Sequence, residues 1–262
     1  WLAAEGGDAL GTRAAQFPYF PLLIKLIDAH DNLSVQVHPS DDYALRVEGE
    51  YGKTELWYVV DAAPGAEILY GFAHTIAKDE FRRRIADNTL LEVVRHVPVQ
   101  KGDAFFIPAG TLHAIGKGLL ICEIQQSSNA TYRVYDYDRL GDDGKPRDLH
   151  LAQSLEVIDY AQEAPTSGEI TAPEIDGKTE LMSCKYFSVE KYEIHEAKTI
   201  AQPWSFMCVS VIEGEGTVCA DGGNGEEHRI CKGSHFIAPA SSGSLRFTGT
   251  MTLITSHLPH TK

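Results

Sequence analysis

Thiols are few in this chain and show no clamp spacing: Cys122, Cys184, Cys208, Cys219 and Cys231 are five cysteines without a C-x-x-C couple. An odd number in that pattern suggests neither a disulfide framework nor a thiolate zinc site, and it fits a reducing cytoplasm. Positive charge is short as well. Against 37 Asp+Glu stand 23 Lys+Arg, a formal net charge of −14, and the longest basic run is Arg82-Arg83-Arg84. Nucleic acid and anionic membrane surfaces are therefore disfavoured as partners. Long apolar runs are also lacking: Phe17 to Ile24 and Gly118 to Cys122 fall far below the roughly 20 residues of a spanning helix. A soluble, cytoplasmic protein is expected. The chain opens on Trp1 rather than methionine, amid loop-like sequence, so a missing native amino terminus is a further expectation.

What remains is an ordinary globular composition. The 262 residues are 43% hydrophobic and 9% aromatic, enough for one large core or two small ones. Short alternating segments broken by Gly, Pro, Asp and Asn predict strands over Leu33–His38, Thr54–Ala62, Ala66–Tyr70, Val97–Gln100, Ala104–Ile107, Leu119–Gln126 and Tyr132–Asp136. Apolar residues spaced by charge predict surface helices over Asp79–Arg95 and Leu149–Ile158. The Pro- and Gly-bearing stretch Gln162–Gly177 reads as a linker. Beyond it, Cys184–Ile194, Met207–Ala220, His228–Ala238, Ser244–Phe247 and Met251–Ser256 again read as strands. An all-β-dominated chain of two consecutive barrels follows, with a few helices in or beside the first. Residues 1–161 form the first barrel, 162–177 the linker and 178–262 the second.

One segment carries the strongest chemical signal. Gly102, Pro108, Gly110 and His113 stand at the spacing G-x5-P-x-G-x2-H, which resembles the second motif of the cupin (jelly-roll) family. The glycines and proline bend the chain so that His113 faces the barrel interior as a metal-ligand candidate. A lone histidine is more often a hydrogen-bonded strand residue, but His113 has companions upstream. In Ser34-Val35-Gln36-Val37-His38, alternation puts Ser34, Gln36 and His38 on one face. A polar stripe turned inward needs either a hydrogen-bond network or a ligand site. Glu55 opens a strand in which Trp57 and Val59 share its face; its bland alternative is a surface carboxylate. Together His38, His113, Glu55 and the Gln36 amide suit Zn²⁺, and Fe²⁺ or Mn²⁺ as well.

The strings FPLLIKLIDAHDNLS, SVQVHP, GKTELWYV, GDAFFIPAGTLHAIGKG and EIQQSSNATYRVYDYDR sharpen the resemblance. They are similar to the type I mannose-6-phosphate isomerases in their short bacterial form, densely from Phe20 to Arg139 and more loosely from Leu149 onward. The resemblance implies one zinc ion held by Gln36, His38, Glu55 and His113. It implies a catalytic Arg133, a base at Glu123 and an active-site role for Lys53, whose bland alternatives are salt bridges. Lys117 is a weak candidate for phosphate contact. The reaction implied is aldose–ketose interconversion of a hexose phosphate through an enediol(ate). Two rival readings use the same scaffold: an iron-dependent cupin dioxygenase, and a sugar-binding cupin without turnover. In the carboxyl-terminal half, Gly233 to Pro239 repeats part of the cupin motif. Serines follow where a histidine is needed, so the second barrel is expected to be metal-free, with His228 and His235 structural.

Overall fold

Alternating apolar residues can be buried only if strands pair into sheets and the sheets cover one another. The computed structural model describes residues 9–141, 143–201, 205–220 and 225–259; Trp1 falls outside them. The chain divides into two compact units, Leu23–Ile170 and Thr171–Lys262, the segment through Leu22 belonging with the latter.

The first unit holds β1 (Leu22–Ala29), β2 (Val35–Val37), α1 (Asp41–Val47), β3 (Glu55–Ala62), β4 (Glu67–Phe72), α2 (Lys78–Ala86), β5 (Val94–Pro98), β6 (Ala104–Ile107), β7 (His113–Ile115), β8 (Leu119–Gln126), β9 (Tyr132–Tyr135) and α3 (Leu151–Val157). They form a four-stranded sheet, β1-β8-β3-β6, and a five-stranded sheet, β5-β4-β7-β2-β9. Between the sheets Trp57 and Val59 of β3 meet Ile68, Phe105, Ile115 and Ile121. Each such fully buried large side chain contributes about 1.5–3 kcal/mol. The opposite face of the five-stranded sheet buries Val35, Val37, Leu69 and Val134 under Phe81 of α2, Leu90 and Ile158.

The helix expected over Asp79–Arg95 is shorter than its pattern. Asn88 adopts φ +56° and the helix stops before it, as a left-handed residue requires. A single 3-10 turn, Leu90–Glu92, follows, and Val94 and Arg95 are strand. Within the stretch read as a linker, Ala164 packs on the inter-sheet core, and Ala104 N donates to Gly168 O at 2.8 Å. Ala164 thus lies against Gly71 of β4 and Gly168 against Phe105 of β6.

The second unit contains β10 (Lys178–Ser183), β11 (Ser188–Ile194), β12 (Ala197–Ala201), β13 (Met207–Ala220), β14 (His228–Cys231), β15 (His235–Ala238) and β16 (Ser244–His257). They form one seven-stranded antiparallel sheet built on the long β13–β16 pair. One face buries Tyr192, Val209, Phe247 and Leu253. The expected closed barrels are therefore not what the ladders form: among the described residues every sheet is open at its edges. In the first unit side-chain packing between two sheets, rather than a continuous hydrogen-bonded ring, encloses the interior.

Candidate metal centre

Strand alternation points the site residues inward. Val35 and Val37 lie in the outer core, so Gln36 between them faces the other sheet. The register lines up Arg133, Gln36, His113 and Tyr70 across β9, β2, β7 and β4 as one row. From the facing sheet Glu55 pairs with Gln125, and Trp57 with Glu123.

Two glycines bring the separate stretches together. Gly110, at φ +90°, donates its N–H to His38 O at 2.9 Å, tying the motif loop to the chain just beyond β2. Gly52 packs so closely on the loop after His38 that a Cβ would lie 2.7 Å from Pro39 O. Lys53 N then donates to that same oxygen at 3.1 Å. The start of β3 is thereby held against His38.

The ligand-capable atoms of His38, Glu55 and His113 lie within 4.8 Å of one another, and all three residues are buried. His38 Nε2 is 3.2 Å from Glu55 Oε1, and His113 Nε2 is 3.8 Å from Glu55 Oε2. Their other ring nitrogens face backbone carbonyls: His38 Nδ1 is 3.0 Å from Ala130 O, and His113 Nδ1 is 2.9 Å from Thr111 O. A carbonyl oxygen only accepts, so each Nδ1 carries the proton and each Nε2 of a neutral ring presents a lone pair. Burial, followed by the Lys53 ammonium, pushes the His38 pKa down to about 4 against the pull of Glu55. Burial also lowers that of His113, again against Glu55. Both rings are neutral at pH 7. Burial opposes ionisation of Glu55, yet the Lys53 ammonium holds its carboxyl well below the usual range.

Two imine lone pairs and a carboxylate form an acceptor cluster that is costly to bury without a cation. Lys53 meets that need with its ammonium, 3.0 Å from His38 Nε2 and hydrogen-bonded to Glu55 Oε1. The Gln36 amide lies 3.4 Å from His113 Nε2, and a half-turn of that amide presents its oxygen to the cluster instead. Neutral imidazoles with fixed tautomers, a carboxylate and an amide oxygen are the donor set that a divalent ion of the zinc type takes.

Of the other expected site residues, Glu123 is buried beside this cluster and reaches it through Trp57, whose indole Nε1 is 3.1 Å from Glu123 Oε2 and 3.0 Å from Glu55 Oε2. Arg133 shares the row of Gln36 and His113, but its Nη1 donates outward to Asp148 O at 3.0 Å, and its buried Nε has no partner. Burial and then the charge of Arg147 lower its pKa. Lys117 is exposed beyond β7, its N–H donating to Asn32 Oδ1 at 2.9 Å. It does not join the cluster. Lys25 is absent from the sequence-based expectation; its Nζ binds Glu123 Oε1 at 2.8 Å and Gln125 Oε1 at 2.6 Å. A lysine in the middle of the apolar run Leu22–Ala29 was the available signal.

The family description "Mannose-6-phosphate isomerase, cupin domain" matches residues 177–258, which is the seven-stranded unit. Over 256 residues the chain is 43% identical to the mannose-6-phosphate isomerase of Streptococcus mutans serotype c, covering 98% of this chain and 79% of that protein. It is also 43% identical over 243 residues to the mannose-6-phosphate isomerase ManA of Bacillus subtilis strain 168, covering 91% and 75%. The crystal structure of a mannose 6-phosphate isomerase from Bacillus subtilis superposes with a TM-score of 0.86 at 39% identity, covering 98% of this chain and 80% of that one. Likeness of this extent spans both units, and the chain belongs to the mannose-6-phosphate isomerase family.

Proposed function

We infer that this chain is a metal-dependent aldose–ketose isomerase that interconverts mannose-6-phosphate and fructose-6-phosphate, with Leu23–Ile170 as its catalytic unit. The names of its relatives support the reaction. The observation that carries the assignment to a site is the buried convergence of His38, Glu55 and His113 beside Gln36. These four residues would hold one divalent ion, Zn²⁺ by the nature of the donors. When bound, such an ion supplies Lewis-acid polarisation of a sugar oxygen, worth several kcal/mol.

The chain's own residues supply the rest. Moving a proton between C1 and C2 places negative charge on oxygen as the enediolate forms. Arg133, on the ladder row of two proposed ligands, has a buried Nε–H without a partner. It answers that charge with a fixed positive one. Lys53 and Glu123 are the groups placed to hold or move the proton, Lys53 at Nζ and Glu123 at its carboxylate. The sheets on either side exclude bulk water from these groups, which strengthens each interaction.

Chelation should abolish turnover of mannose-6-phosphate to fructose-6-phosphate, and one equivalent of Zn²⁺ per chain should restore it. Turnover that survives complete metal removal, or a metal-loaded protein that turns over no hexose phosphate, would overturn this reading. Oxygen uptake in place of isomerisation would favour the dioxygenase.

A further inference from the structure

Trp57 touches both carboxylates of the site and one of its imidazoles. Its ring lies fully buried between the sheets, edge-on to the His113 ring at a centroid distance of 5.3 Å and 76°. Phenylalanine would fill only part of this space and could not donate a hydrogen bond. The indole N–H points at Glu55 Oε2, 3.0 Å away, and Glu123 Oε2, 3.1 Å away. Two buried carboxylates turned toward each other repel unless a donor stands between them. On the far side Lys25 Nζ donates to Glu123 Oε1 at 2.8 Å; on the near side Lys53 bonds Glu55 Oε1. Cation, carboxylate, N–H, carboxylate and cation alternate along one line. Cross-strand pairing of Trp57 with Glu123 and of Glu55 with Gln125 fixes that line to the sheet.

We propose that Trp57 is a positioning residue for the metal centre. Its shared N–H holds the Glu55 carboxylate turned toward His38 and His113, and Glu123, anchored by Lys25, holds the indole. Both oxygens of Glu123 are then engaged, one by Lys25 and one by the indole. The inference rests on the reading of Glu55 as a metal ligand.

Trp57→Phe keeps an aromatic side chain at the site but removes the N–H together with the pyrrole part of the indole. Zn²⁺ affinity, measured on metal-free protein by competition with a chromophoric chelator, should fall about 10- to 100-fold, the usual cost of losing a group that orients a ligand. With saturating Zn²⁺ the KM for mannose-6-phosphate should stay within about threefold of wild type, while the melting of the metal-free protein should drop by only a few degrees. An unchanged Zn²⁺ affinity in Trp57→Phe overturns the proposal. Should that variant fail to fold, Glu123→Ala releases the far end of the indole and should weaken Zn²⁺ binding by at least about threefold; affinity equal to wild type overturns the proposal there too. The two readings fail separately: wild type that binds no stoichiometric Zn²⁺ sinks the metal enzyme, whereas wild type that binds it and Trp57→Phe that binds it equally sinks only the role of Trp57.

Discussion

His38 and His113 each have one ring nitrogen tied to the backbone, at Ala130 O and Thr111 O, and therefore one lone pair aimed at Glu55. Arg133 differs from them in kind. Its backbone shares the Gln36 ladder, but its guanidinium reaches Asp148 O and contacts none of the three acceptors. The two residue types should accordingly fail differently. His113→Ala removes a donor, so Zn²⁺ affinity should fall by more than the about 100-fold that follows loss of a supporting hydrogen bond, and activity should go with it. Arg133→Ala should retain one Zn²⁺ per chain and lose about 10²–10³ in kcat, as removal of a charge-stabilising donor does. Metal analysis beside steady-state kinetics separates the cases. Arg133→Ala with wild-type kcat, or with its metal gone, would refute the division of roles.

Elements differ in how plainly the sequence announces them. β3 and β8 are eight residues each, long enough for the two-residue repeat of a strand to put Glu55 with Trp57, and Glu123 with Gln125, on one face. β2 and β7 have three residues each; alternation through Ser34–His38 still places Gln36 and His38 on one face, whereas His113 is legible only because Gly102, Pro108 and Gly110 precede it. β1 escapes because an apolar run with Lys25 inside it fits several readings, and α1 because seven residues hold barely two turns. The pairing of Gln36 with Arg133 depends on strands far apart in the chain, and no local pattern encodes it. Close approach at Gly52 belongs to the same class. A Cβ there would stand 2.5 Å from Asp41 N and 2.6 Å from Ser40 C, both backbone atoms that cannot turn aside. Gly52→Ala should thus cost about 1–3 kcal/mol of stability and weaken Zn²⁺ binding by moving Glu55 relative to His38. Denaturant unfolding and chelator competition read both effects. A variant that unfolds and binds metal like wild type would show that the loop has room.

Across the whole molecule the buried histidines of the two units answer acid in opposite directions, because His38 and His113 have lowered pKa values and His257 a raised one. In Leu23–Ile170, His38 and His113 have lowered pKa values, with burial the largest cause. The unfolded chain then binds protons that the folded unit refuses, and stability of the metal-free unit falls as pH drops below about 6.5, for His38 down to about 4. In Thr171–Lys262, His257 is buried with Nε2 3.0 Å from Glu190 Oε1 and Nδ1 2.7 Å from Leu258 O. Burial opposes its charge, but the Glu190 hydrogen bond and carboxylate outweigh burial and raise its pKa, with Lys178 pulling the other way. That contribution is complete below the unfolded value of 6.5 and disappears as pH climbs through the folded one. Glu190, lowered by His257, Lys178 and Thr255 against its own burial, keeps its share until pH falls below 4.5 toward its folded value. Between about pH 7.5 and pH 5, hydrogen exchange of the metal-free protein, corrected for intrinsic rates, should therefore show Leu23–Ile170 losing protection and the β11–β16 pair that carries Glu190 and His257 gaining it, against the opposite pull of His235, whose pKa burial lowers. His257→Gln should abolish the gain without touching the loss, and bound Zn²⁺ should suppress the loss by keeping protons off both imidazoles. If protection of the β11–β16 pair moved in the same direction as that of Leu23–Ile170, or if His257→Gln left the response of that pair intact, the buried Glu190–His257 pair would not be an ion pair.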